Sequence, residues 1–129
     1  MHVATGAVVG AVAGSRRRAL VLGLAAHALA DAIPHEDIES QRFEMVSGLV
    51  LLSLLAAARG PFDPTVIGAA AASAPDLEHV LRLPQPGGRK LFPSHRVEGW
   101  HREGGITARA QLVAAGVIVT LLIFRVRRR

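Results

Sequence analysis

The sequence predicts an all-α fold: an up-down bundle of about five helices, embedded in a membrane, with a long Gly/Pro-rich loop before the last helix. Three observations predict it. Half of the 129 residues are apolar and mean hydropathy is +0.35, yet only 4% are aromatic, so the apolar mass is Ala, Val, Leu, Ile and Gly. Apolar runs alternate with short breaks of Pro, Gly and charge, and no segment shows the period-two alternation of a half-buried strand. The runs 45–58 and 110–124 almost lack the polar stripe that a helix on the surface of a water-soluble bundle carries. The length suits a single domain, 1–129.

The elements follow in order. Helix 3–18 opens on small apolar residues and closes on Ser15, Arg16, Arg17 and Arg18. That basic cluster follows the apolar run, whereas a cleaved signal carries it in front, so the segment reads as a retained helix. Helix 19–33 ends before Pro34, because the residue preceding a proline avoids the helical region. A polar loop leads to helix 43–59, which is Leu-rich, and Gly60-Pro61-Phe62-Asp63-Pro64 marks a turn. Helix 65–83 is Ala-rich, and Pro75 kinks it or restarts it. The loop 84–105, with five Gly and three Pro, is too long for an incidental connector, and loops of that length are often functional. Helix 106–125 comes close to the ~20 residues a membrane span requires.

Composition excludes several function classes. There is no Cys, which removes disulfide frameworks, thiolate nucleophiles, iron–sulfur clusters and Cys-type zinc fingers. The hydrophobicity excludes intrinsic disorder. Net charge is +5, and all the basic residues but Lys90 are Arg. A basic balance suits nucleic acid or anionic lipid. No aromatic residues interleave with the Arg to stack bases, so membrane lipid is the favoured partner and nucleic acid is not. The Arg125-Val126-Arg127-Arg128-Arg129 tail reads as a lipid-headgroup anchor.

Short connections make successive helices antiparallel. His2 then lies at one end of the bundle, helix 19–33 brings His27, Asp31 and His35 to that end, and helix 65–83 brings Asp76 and His79. His95 and His101 join them from the long loop. The opposite end holds Arg16, Arg17, Arg18, Arg59 and the Arg tail, with Asp63 as its single acid. The positive-inside rule places that Arg end, tail included, in the cytoplasm of a multi-pass membrane protein.

His27 and Asp31, at i and i+4, share a helix face and can grip a divalent ion. The bland reading of such a pair is a salt bridge or a core hydrogen bond. An ionisable pair inside an apolar helix is costly, however, and is usually paired or functional. Asp76 and His79 form a second pair at i and i+3, although Asp76 also suits the dipole at the start of a helix restarted by Pro75; Glu78 points elsewhere. His35 and Asp37 are either further ligands or part of a solvated acidic loop. His95 and His101 are candidate catalytic groups, as ligands or general acid–base, since imidazole titrates near neutrality. Ser94 lacks the Gly-x-Ser-x-Gly context of a nucleophile. The first-choice metal ligands are His2, His27, Asp31, Asp76 and His79, with His35 and Asp37 in reserve. A Cys-free set of His and carboxylate suits zinc first, with manganese or iron as alternatives.

His2 before a Gly/Ala-rich helix, the element His27-Ala-Leu-Ala-Asp31 running into Ile33-Pro34-His35, and Ala74-Pro75-Asp76-Leu77-Glu78-His79 together resemble the membrane-bound metal-dependent hydrolases, the group that includes the LexA-binding, inner-membrane-associated proteins. Glu78 stands where the family's Pro-Asp-x-Asp-like element has Asp. The His-x-x-x-Asp element is more weakly similar to zinc-dependent phospholipase C, an all-helical phosphodiesterase. These resemblances imply a metal-activated water attacking an ester or phosphoester, with a small molecule or lipid phosphoester as substrate. Two other readings stand beside this one. One is a non-catalytic integral membrane protein whose His/Asp cluster is structural or binds a partner; the other is a haem or metal carrier.

Overall fold

In a computed structural model the chain is all-helical. The structure describes every residue except 82, 101, 103 and 127–129, together with the side chain of Val126. Six helices are present among the described residues: α1 (His2–Val12), α2 (Arg16–Asp31), α3 (Gln41–Arg59), α4 (Pro64–Ser73), the single turn α5 (Leu77–Val80) and α6 (Ala108–Val126). The only β-type pairing among them is an isolated bridge between His35 and Ile106.

The largest departure from the expected boundaries is at the first break. The first break falls at Gly14 and Ser15 instead of after Arg18. Gly14 takes φ +71°, a conformation open to residues without a Cβ, and the Ser15 hydroxyl accepts the Arg18 amide at 3.3 Å as a helix N-cap. Arg16, Arg17 and Arg18 therefore form the first turn of α2. Cationic residues there oppose the helix dipole, and Arg16 turns away to donate from Nε to the Phe62 carbonyl at 2.9 Å. At Pro75, where the sequence predicts a kink or a restart, the helix expected over 65–83 divides into α4 and α5, and α5 ends at Val80. Ser40 caps α3 by accepting the Phe43 amide at 3.2 Å. Asp63 caps α4 by accepting the Thr65 amide at 2.8 Å, with Pro64 at the first helical position, where a missing N–H costs nothing.

α1, α2 and α4 form a core of small residues. A Cβ on Gly6 or Gly10 would overlap the α4 backbone, and one on Gly68 would overlap that of α1. A Cβ on Gly23 would stand 2.6 Å from the Gly68 carbonyl oxygen and 2.8 Å from the Ala71 methyl. Ala4, Ala7, Ala19, Ala69, Ala71 and Ala72 are buried around these glycines. Such contacts set the register: Gly6 faces Gly68 and Ala72 while Gly10 faces Pro64 and Thr65, so α1 and α4 run in opposite directions. Gly6-Ala7-Val8-Val9-Gly10 is the small-xxx-small pattern that lets helix backbones approach where lipid removes the hydrophobic incentive to associate.

α3 and α6 cover this core through Leu55, Ala115 and Val119, which meet Val3, Val66 and Ala69. Arg59 ties the pair together, donating from Nη1 to the Leu122 carbonyl at 3.1 Å and from Nε to Asp63 at 3.1 Å. Their outer faces are apolar and exposed: Val46, Val50 and Leu54 on α3, and Val113, Val117 and Leu121 on α6. Among the described residues two helices are long and apolar enough to cross a membrane, Gln41–Arg59 and Ala108–Arg125.

The long loop contains two short 3₁₀ turns, Pro86–Gly88 and Pro93–His95. It is fastened to α2: the Trp100 indole donates to the Ala28 carbonyl at 2.8 Å, and the Arg102 amide to the Asp31 carbonyl at 3.4 Å. This fastening positions His95 over the end of α2.

Candidate metal centre

Four separate pieces of chain deliver imidazole and carboxylate groups to one point. α1 begins with His2. The last turn of α2 supplies His27 and Asp31, buried and one turn apart. The turn that ends α4 supplies Asp76, and the loop supplies His95. His27 Nε2 lies 3.1 Å from Asp31 Oδ2 and 3.1 Å from His95 Nε2, and His95 Nε2 lies 3.7 Å from the same Asp31 oxygen. His2 Nε2 lies 3.4 Å from Asp31 Oδ1 and 3.9 Å from Asp76 Oδ2. Asp76 Oδ1 is 3.8 Å from His27 Nε2 and 4.0 Å from His95 Nε2. Both carboxylates thus approach the same His2 nitrogen.

Hydrogen bonds at the far side of two rings decide what those rings present. His27 Nδ1 faces the Ala72 carbonyl at 2.8 Å, an acceptor only, so Nδ1 carries the proton. His95 Nδ1 makes a short bond to Glu78 Oε1, again an acceptor. In their neutral forms both rings then turn Nε2 lone pairs towards each other and towards the Asp31 carboxylate. Two lone pairs and an anion at 3.1 to 3.7 Å repel unless a proton or a metal ion lies among them. Imidazole ligands whose other nitrogen donates to a carbonyl or carboxylate are the usual arrangement in metal sites.

Spacing agrees with this. A tetrahedral ion with bonds of ~2.0–2.1 Å holds its donors roughly 3.3–3.4 Å apart, in the middle of the observed range. Three donors, His27, Asp31 and His95, make one face of such a site and leave a fourth position. Two further triples have ligand atoms all within 4.8 Å of one another: His2, His27 and Asp76, and Asp76, His79 and His95. The described residues therefore contain His/Asp clusters able to hold a metal ion.

Neighbouring groups fix the donors. The Ser94 hydroxyl donates to Asp31 Oδ2 at 2.7 Å, which makes it a positioning group for the carboxylate. Glu78 is buried and accepts the Leu91 amide at 2.5 Å and the Phe92 amide at 3.4 Å besides His95. Burial works to raise its pKa, but the bonds from His95 and the two amides outweigh that and hold it below the usual carboxylate range. Asp76 is half-buried. Burial, aided by the Glu44 and Asp31 charges and opposed by His27, pushes its carboxyl up to about 6. His2 Nδ1 is buried without a hydrogen-bond partner among the described residues.

Other expected ligands stand differently. His79 lies next to His95, with ring centroids 4.4 Å apart, but its Nδ1 accepts from Lys90 Nζ at 2.6 Å. His35 donates from Nδ1 to the Ile33 carbonyl at 2.7 Å and faces Asp37 at 3.8 Å; neither belongs to a ligand triple among the described residues. His101 lies outside the described residues. Glu78, which the sequence reading set apart from the cluster, is the buried acceptor of His95 Nδ1; its place in the Asp76-Leu77-Glu78 element was the available signal.

Beside the cluster is a cavity of about 930 Å³, with His2, Asp31, Asp76, His79 and His95 in its wall. A concave site of this size with a few convergent polar groups suits a small-molecule ligand. Searches against family models, curated proteins and solved structures find no match for this chain.

Proposed function

We propose that this chain is a metal-dependent hydrolase of the membrane, an up-down bundle whose His-rich end binds a divalent ion, zinc first, and hydrolyses an ester. One observation carries the reading: His27 and His95, with tautomers set by Ala72 and Glu78, aim two Nε2 lone pairs at the Asp31 carboxylate. His27, Asp31 and His95 hold the ion, with His2 and Asp76 completing the same site or an adjoining one. When bound, the ion supplies acidified water and hence a nucleophile near neutral pH. Ser94 and Glu78 hold Asp31 and His95 in place, and the cavity wall takes the apolar part of the substrate. The exposed apolar faces of α3 and α6 support a multi-pass membrane location, with the C-terminal Arg tail in the cytoplasm.

The non-catalytic reading has an observation of its own. A proton on His27 Nε2 satisfies Asp31 and His95 at the same 3.1 Å distances and needs no metal. Elemental analysis of detergent-purified protein separates the two, run beside an Asp31→Ala, Asp76→Ala double variant. Stoichiometric zinc, manganese or iron in the wild type, lost in the variant, supports the metal site. No metal in either, after loading and mild dialysis, leaves an ion-paired cluster.

A further inference from the structure

The charge around the cavity narrows the substrate of the proposed hydrolase. Six carboxylates border it: Asp31, Glu36, Asp37, Glu39, Glu44 and Asp76. No Arg or Lys side chain borders it among the described residues, although the chain holds 15 such residues. Lys90 approaches His79 from outside the cavity lining. One divalent ion and the Met1 amino group bring three positive charges to a cavity bordered by those six carboxylates. An apolar part of the wall is formed by Ile33, Met45, Leu49, Leu52, Leu77 and Val80.

Sites that act on phosphoesters place Arg, Lys or a comparable cation against the non-bridging oxygens, because a phosphodiester is an anion before attack and gains charge on the way to the transition state. Beyond the ion of the proposed site, the described lining supplies no such cation, and its carboxylates repel a bound phosphoester. Resting on the hydrolase reading, we infer that the substrate is an uncharged carboxylic ester bearing an apolar chain, not a phosphoester. The chain lies along Met45, Leu49 and Leu52, and the ester sits at His27, Asp31 and His95. Hydrolysis adds water across the acyl C–O bond: the water oxygen bonds to the acyl carbon, the alkoxy group leaves and takes a proton, and a carboxylic acid and an alcohol result.

Binding tests this without requiring turnover. Full-length protein in zwitterionic-lipid nanodiscs, loaded with zinc, is titrated calorimetrically with hexanohydroxamic acid, acetohydroxamic acid and hexylphosphonate. The six-carbon hydroxamic acid, uncharged in solution at neutral pH, is expected to bind roughly tenfold or more tighter than the phosphonate. It is expected to exceed acetohydroxamic acid by a similar factor, since the longer chain buries more methylenes. Glu44→Lys is expected to narrow the gap between hydroxamate and phosphonate. Hexylphosphonate binding as tightly as hexanohydroxamic acid, or no gain from the longer chain, overturns the inference. Protein that takes up neither zinc, manganese nor iron refutes the hydrolase reading separately. The cavity's preference is then read on the metal-free protein with hexanamide against hexylphosphonate, where preference for the amide supports the uncharged class and equal or tighter phosphonate binding overturns it.

Discussion

Replacing Glu78 with Gln tests whether the far side of His95 controls the metal site. Glu78 receives His95 Nδ1–H and the amides of Leu91 and Phe92, all donors. A glutamine offers one acceptor and one donor. Whichever way its amide turns, an NH₂ faces either the loop amides or His95 Nδ1–H. His95 escapes the second conflict by moving its proton to Nε2, which removes a lone pair from the cluster. Loss of such an outer partner typically weakens metal affinity 10–100-fold, or about 1.4–2.7 kcal/mol. Zinc affinity measured by competition with a chromophoric chelator at neutral pH is expected to fall within that range, with Glu98→Gln, an exposed carboxylate of the same loop, as the unaffected control. Affinity within twofold of wild type in a folded Glu78→Gln protein would refute the reasoning that Glu78 sets the tautomer.

Three further outcomes are expected. Gly68→Ala places a methyl group against Gly6 and Gly10 and should cost about 1–3 kcal/mol by overpacking, whereas Gly116→Ala, with open space around it, should stabilise by up to ~1 kcal/mol through helix propensity; thermal unfolding reads both. Asp63→Ala removes the α4 cap and should cost about 1 kcal/mol. Burial works to raise the Asp63 pKa, but hydrogen bonds from Thr65 and the Arg59 charge outweigh it and depress the value. The stabilisation is therefore complete above the unfolded pKa of ~3.9 and fades as pH falls through the lower folded value, so wild type and variant should converge in acid. Zinc at 100 times its dissociation constant should add about 2.7 kcal/mol of stability, visible as a fall in Tm when a chelator is added.

How much of this was legible in the sequence depends on the distance over which each feature is specified. His27 and Asp31 are paired by helix geometry alone, and Asp76 and His2 reach them by counting helix reversals. The caps at Ser40 and Asp63 and the break at Pro75 are local chemistry. The break at Gly14 was also local, but the charge of the following Arg run drew the expected boundary past it. Glu78 could not be placed by local rules, because its partners His95, Leu91 and Phe92 arrive on a loop whose path is fixed by Trp100 on Ala28. His79 has the right spacing and the right end of the bundle, yet Lys90 from that loop engages its Nδ1. The close packing of Gly6, Gly10 and Gly68 was written in the spacing of α1, but it gains meaning only once α4 lies against it.

In the proposed site His27 and His95 ligate one divalent ion through Nε2. Zinc X-ray absorption on the loaded full-length protein addresses it most directly. The expected spectrum has a first shell of nitrogen and oxygen at ~2.0–2.1 Å with multiple scattering from at least two imidazoles, reduced in His27→Gln and in His95→Gln. An oxygen-only shell, or a spectrum unchanged in both variants, would contradict it.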